Sequence, residues 1–404
     1  MLKALTVLLT LICANANVYA DPWANITALL ANASESYGIK NFVVTAGNAT
    51  GRAFTYESHT TVKTPLLLMS ASKFPAAVAI AGAVALGNLT FDTHASEVFP
   101  WWSNAASDPR SAVTLRQLLS LTSGFYSPDQ AGFVPCMEPG ATSTSEQCAE
   151  QIYNNASFAF KAGTTFAYNS FHLQIAGAMA AKAQGVTVQE LLSTNLLDKA
   201  GMKHSGWLGG ENPLMAFGLH TIADDYDAFL RAYLAYEVVP KVVADELELD
   251  YMAPPYSSNV ANSSTGLSEF FGHYSACNWY ECLANFSTDV NGTWTQHCID
   301  NKIHMDVGLW GYYPIIDRSQ NTYMQIAQAV IACLNCTNPG VDGAIGMRED
   351  IKAPLDSIIT GGVQVTRRVE SAAQRRMVDP PPRQRMSGMH PGWLARFEAE
   401  LRAL

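Results

Sequence analysis

The chain has 404 residues, 48% hydrophobic and 15% charged, with a formal net charge of −10. That balance is globular and excludes a disordered chain. Residues 364–404 hold eight Arg against four acidic residues, so the preceding 363 carry −14 of the total, and an acidic body argues against nucleic-acid binding.

Residues 1–20 read as a secretory signal, with Lys3, an apolar run over 4–14 and the small-residue site Val18-Tyr19-Ala20. The run is too short to span a bilayer, and no transmembrane helix is expected. Residues 22–37 show helical apolar spacing (Trp23, Ile26, Leu29, Leu30) that stops at Gly38. Residues 41–46 and 52–56 predict two strands around the turn Gly47-Asn48-Ala49-Thr50-Gly51.

Ser70-Ala71-Ser72-Lys73 follows, then an apolar helical run to Leu86. Residues three apart share a helix face, so the Lys73 amine can reach the Ser70 hydroxyl. A serine is a poor nucleophile until a neighbouring base takes its proton. S-x-x-K supplies that geometry, although an N-capping serine beside a solvated lysine gives the same four letters. Pro75 is tolerated only in a first turn, so the helix is expected to begin near Ala71 or Ser72. Helical runs over 115–121, 171–184, 188–197 and 222–236 are separated by Gly/Pro/Ser loops. Residues 305–317 and 322–333 look like adjacent strands, and 350–359 like a final helix interrupted by Pro354. Residues 363–404, with Pro380-Pro381-Pro382 and Arg pairs, read as a disordered tail.

The expected fold is α+β. An antiparallel sheet is built from both chain ends (about 21–90 and 300–362), flanked by helices, with a helical insertion over about 91–299. A single domain is expected to span 21–362.

Asn-x-Ser/Thr acceptors at Asn25, Asn32, Asn48, Asn88, Asn155, Asn262, Asn285, Asn291 and Asn335 agree with a secreted or lumenal glycoprotein. Cys13 leaves with the signal. Of the seven other cysteines, Cys136 and Cys148 are the preferred pair, closing a Gly/Ser/Thr-rich loop. Pairing of Cys277, Cys282, Cys298, Cys333 and Cys336 stays open. Cys333-Leu-Asn-Cys336 lacks the second Cys or His pair that zinc requires, so no metal and no cofactor are expected.

Several motifs in order resemble the serine β-lactamase and penicillin-binding-protein superfamily, nearest the class C β-lactamases and esterases of that fold. Met69-Ser-Ala-Ser-Lys73 looks like its nucleophile motif. Leu86-Gly-Asn-Leu-Thr-Phe-Asp92 is similar to its "G-x-L-x-L-D" helix exit. Val113-Thr-Leu-Arg-Gln-Leu-Leu-Ser-Leu-Thr-Ser-Gly124 resembles "I-T-L-R-x-L-L-x-H-T-S-G". Ala162-Gly-Thr-Thr-Phe-Ala-Tyr-Asn-Ser170 is similar to "P-G-x-x-x-x-Y-S-N". Leu197-Asp-Lys-Ala-Gly-Met202 and Gly218-Leu-His-Thr-Ile-Ala-Asp-Asp225 resemble two later segments.

The resemblance implies Ser70 as nucleophile of an acyl-enzyme, Lys73 as its base or electrostatic aid, and Tyr168 as proton exchanger. It also implies a cleft beside Ser70, while the departures from its motifs favour a small-molecule neutral ester, amide or lactone substrate over anionic β-lactams. The "Y-S-N" asparagine is replaced by Ser170, with Asn169 in the middle, and Leu121 replaces a histidine. The family's "K-T-G" is missing; His304-Met305-Asp306 and Asp306-Val307-Gly308 are the alternative alignments, the second fitting better. Gly308 would let a substrate lie along an edge strand whose backbone N–H joins that of Ser70 as an oxyanion hole. Asp306 would repel a substrate carboxylate, and a protonated His304 would partly replace the missing lysine. A binding protein without activity, and a peptidase or transpeptidase of D-amino-acid peptides, are the alternatives.

Overall fold

The computed structural model describes residues 21–127, 134–138, 140–256, 259–261, 273–281, 302–329 and 339–361. The expected signal and tail lie outside the described residues. So do the acceptors Asn262, Asn285, Asn291 and Asn335 and the cysteines Cys282, Cys298, Cys333 and Cys336.

The main elements are α1 (Ala24–Tyr37), β1 (Phe42–Asn48), β2 (Gly51–Ser58), β3 (Leu66–Leu67), α2 (Lys73–Ala85), α3 (Leu115–Leu119) and α4 (Phe171–Gln184). They continue as β4 (Gly206–Trp207), β5 (Leu219–Thr221), α5 (Ala223–Leu234), β6 (Trp279–Tyr280), β7 (Ile303–Met305), β8 (Tyr313–Asp317), β9 (Thr322–Ala327) and α6 (Pro339–Ile359). Six strands form one sheet in the order β6-β7-β8-β9-β1-β2, every pair antiparallel. Both chain ends therefore build the sheet, as the sequence implied, and the mainly helical stretch comes between.

Strands β8 and β9 are buried at every position, which is why they read as apolar runs without alternation. On β9, Tyr323 Oη donates to Asp227 of α5, and Gln325 Nε2 donates to the Ala223 carbonyl of α5. Thr322 Oγ1 instead donates to Asp356 of α6. Alternate strand residues face opposite sides, so α5 and α6 cover opposite faces of the sheet. Edge strand β2 alternates in burial. Its hairpin with β1 is closed by Asn48 Oδ1, which accepts from the Thr50 amide at 2.9 Å.

Two expectations need correction. Residues 305–317 are not one strand: β7 ends at Met305, and a turn follows in which Gly308 N–H donates to Tyr312 O and Gly311 N–H to Gly308 O. The last helix begins at Pro339, not Asp350. Its first half contains glycines, which weaken a helix signal. They are used for close approach, since a Cβ at Gly343 would lie 2.1 Å from Ile39 and one at Gly346 2.2 Å from Tyr37.

Helix α2 is buried along residues 73–83. An all-round apolar helix is a central one, and α2 lies against α4. Cys136 and Cys148 form the expected disulfide, and Cys277 carries a free, buried thiol. No helix among the described residues is long and apolar enough to cross a membrane.

Charged side chains fasten α6 to the sheet end. Arg348 Nε and Nη2 each donate to Glu281 at 2.5 Å, and the Glu281 side chain is fully buried. Lys352 bonds Asp317 at 2.8 Å and also Asp356. Breaking a buried pair from one side leaves an uncompensated charge. Glu281→Gln is expected to lose about 3–5 kcal/mol of stability in urea denaturation.

Burial holds His172 and His304 down to about 4. The unfolded chain binds those protons near the ordinary value of about 6.5. Their contribution to stability is present above that value and lost as pH falls towards 4. The urea midpoint is expected to drop from about pH 7 to about pH 5, and less so in His304→Leu.

Candidate active site

Ser70 sits in a 3₁₀ turn, Met69–Ser72, that runs directly into α2. Pro75 is the third residue of α2, where its missing N–H costs no helix bond. Met69 has φ of 52°, in the left-handed region. A side chain held there is strained, and its surroundings must impose the conformation.

Those surroundings come from β5 and the segment before it. Leu68 N–H donates to Leu219 O, and Leu219 N–H donates back to Ser72 Oγ, both at 3.0 Å. Ser72, the inner letter of S-x-x-K, is thus a structural bracket. The turn also needs Gly308, because a Cβ there would lie 2.1 Å from the Leu68 carbonyl oxygen. Strand β3 pairs with β5 and β5 with β4, which anchors the Ser70 turn.

Ser70 is partly exposed, whereas Lys73 is only 2% exposed. Lys73 Nζ donates to Ser70 Oγ at 3.0 Å and to the Ala216 carbonyl at 3.1 Å. It also lies 4.7 Å from the centre of the Tyr168 ring, a cation–π distance. Three of the sequence candidates, Ser70, Lys73 and Tyr168, therefore meet in one place. The Ala216 carbonyl was not legible beforehand, since a backbone acceptor leaves no side-chain signature.

Tyr168 is held from both sides. Its ring stacks on Trp279 with centroids 5.7 Å apart. Asn169 Nδ2 donates to Phe125 O and Ala167 O, and Asn169 Oδ1 accepts from Phe171 N–H. His172 Nε2 meets the Ala167 carbonyl at 2.9 Å, and its Nδ1 meets Ser123 Oγ at 2.8 Å. A carbonyl only accepts, so Nε2 carries the proton and Ser123 donates to Nδ1. The run 113–124 thus reaches the site through Ser123, and through Leu121 O, which accepts from Ala167 N–H. Leu121 itself is fully buried with φ of 57°.

The remaining candidates lie differently from expectation. Ser170 is 7% exposed at the N-cap of α4, where Asn169 supplies the accepting side chain. His304 is 3% exposed, its ring 4.5 Å from that of Tyr280, and burial holds it at about 4. It is neutral at physiological pH and cannot stand in for the missing lysine. Asp306 is 1% exposed and accepts from Phe74 N–H at 2.9 Å. It is bonded to the first turn of α2.

Strand β7 is not an edge, because β6 pairs outside it through Trp279–Met305 and Tyr280–His304. The Gly308 amide is already bonded to Tyr312 O. Gly308 therefore serves close packing and not an oxyanion hole.

A pocket of about 500 Å³ lies beside the disulfide, lined by Glu138, Glu211, Asn212 and Leu214 among others. Ser70, Lys73 and Tyr168 do not line it. No group of three or more His, Cys, Asp or Glu among the described residues has the arrangement of a metal site.

Comparison with solved structures finds the same fold. A candidate β-lactamase from Bacteroides dorei DSM 17855 matches at 20% identity and a TM-score of 0.65, covering 82% of this chain and 98% of the other. A mutant simvastatin synthase from Aspergillus terreus matches at 13% identity and 0.62, covering 86% and 100%. EstCE1, a hydrolase with promiscuous acyltransferase activity, matches at 14% identity and 0.62, covering 84% and 98%. At such identities the likeness establishes the fold alone. Comparison with curated proteins found no match. The Beta-lactamase family model matches residues 31–232, half of the chain, and the chain belongs to that family.

Proposed function

We propose that this protein is a serine hydrolase that works through an acyl-enzyme on Ser70 and acts on neutral esters, lactones or amides. The observation that carries the reading is the 3.0 Å contact between Ser70 Oγ and a Lys73 amine withdrawn from water. In its neutral form that amine can take the serine proton as Oγ attacks a carbonyl carbon. Tyr168, in contact with Lys73 through its ring, can pass the proton on to the leaving group. A water molecule then attacks the acyl-enzyme and regenerates Ser70.

The substrate class follows from charge. His304 is neutral and buried, and Asp306 faces the helix. Neither offers a cation to a substrate carboxylate. That favours neutral carbonyl compounds over anionic β-lactams and over peptides ending in D-alanine.

Secretion and glycosylation belong to the same proposal. Asn25, Asn32, Asn88 and Asn155 are exposed acceptors, and Cys136–Cys148 suits an oxidising compartment. The altered third motif, with Ser170 buried, favours one second reading, a binding protein on the same scaffold.

A fluorophosphonate probe separates the two. Wild type is expected to gain one adduct by intact mass, and Ser70→Ala none. Ester turnover should fall at least ~10³-fold in Ser70→Ala. A folded wild type without adduct would favour the binding protein instead. Lys73→Met is expected to slow labelling by about 10²–10⁴-fold, the range for loss of a general base. Labelling at the wild-type rate would remove Lys73 from the mechanism.

A further inference from the structure

The carbonyl that holds the Lys73 amine belongs to Ala216, at 3.1 Å. Ala216 lies in a turn between β4 and β5, outside any helix or strand. Phe217 and Gly218 N–H both donate to Leu214 O and close the turn on itself. A closed turn must still be set in place against the rest of the molecule. The chain then enters β5, where Leu219 N–H donates to Ser72 Oγ at 3.0 Å. Residues 216–219 thus bond to both Ser72 and Lys73.

Helix α4 holds the other end of this segment. Gln174, on α4, is fully buried. Its Nε2 donates to Asn212 Oδ1 at 2.5 Å and to the Pro213 carbonyl at 3.0 Å. Its Oε1 accepts from Met215 N–H at 3.4 Å. Carbonyls only accept, and they fix this orientation. Asn212 Nδ2 donates to Cys136 O at 2.7 Å, so Asn212 Oδ1 is left to accept, and Gln174 turns its Nε2 towards it. Packing is close as well: a Cβ at Gly177, one turn further along α4, would lie 2.9 Å from Met215 Cε. A buried amide costs stability unless its polar atoms are bonded. What Gln174 adds over an apolar side chain of its size is a fixed place for residues 212–215.

We propose that Gln174 is a positioning residue for the Ser70–Lys73 pair: it clamps the segment 212–215 to α4 and so fixes the Ala216 carbonyl that holds the Lys73 amine. The idea rests on the Proposed function in taking Ser70 and Lys73 as a reacting pair. Helix α4 begins three residues after Tyr168. One element therefore sets both the carbonyl and the ring that meet Lys73.

The test is a double-mutant cycle on the full chain, read as the rate of fluorophosphonate labelling at a temperature where circular dichroism shows every variant folded. Gln174→Met keeps the volume and removes all three bonds. In the otherwise wild-type chain it is expected to slow labelling about 10-fold, as a misplaced reacting group does. In Lys73→Met the same substitution is expected to change the slower rate by less than about 2-fold, because no amine is left to place.

Equal slowing in both backgrounds would show a merely structural loss and overturn the proposal. Labelling of folded Gln174→Met at the wild-type rate would overturn it too. Should Gln174→Met not fold, Asn212→Ala takes its place in the cycle. It removes the Oδ1 acceptor and the tie to Cys136, and the same dependence on Lys73 is required of it. Failure of the hydrolase reading looks different: folded wild type itself takes no probe.

Discussion

A lysine amine kept out of water beside a serine hydroxyl is the constraint on which the rest of this structure depends. Burying a polar amine without hydrogen-bond partners costs stability. Here the partners come from distant segments. Ala216 gives a carbonyl and Tyr168 a ring face. The stretch between the two sheet-building ends must be in place before Lys73 is accommodated. The setting of the Ser70 turn is therefore a consequence of tertiary packing and not of a local motif.

The sheet supplies the rigidity. Helices on both faces leave its central strands without solvent contact, and charged side chains lock α6 against it. Gly308 lets the turn after β7 pass within van der Waals reach of the Leu68 carbonyl, and Met69 takes up the strain. A glycine expected as a substrate contact serves close approach between the turn after β7 and the Ser70 turn.

Membership of the β-lactamase family fixes the scaffold and leaves the substrate open. The departures within this chain carry the information. Where relatives place a lysine on the strand beside the nucleophile, this chain buries a neutral histidine and turns an aspartate inward. Strand β6 covers the outer side of β7 and brings Trp279 against Tyr168. Ser70 and Lys73 are thus set beside aromatic groups.

Much of this was written in the sequence. The S-x-x-K spacing placed an amine one turn from a hydroxyl, and the apolar run behind it required a buried helix. Strand-like segments at both ends implied the sheet, and Cys136 and Cys148 their bond. These are local or periodic signals, which a one-dimensional pattern can hold. The role of Asp306 was not legible, because its partner lies 232 residues away and is a backbone amide. Nor was that of His304, whose charge depends on burial that no neighbouring letter reports. The sequence alone determined which chemistry was present; only tertiary packing decided which groups keep their charge and which way they face, because desolvation and long-range contact arise only once the chain has folded.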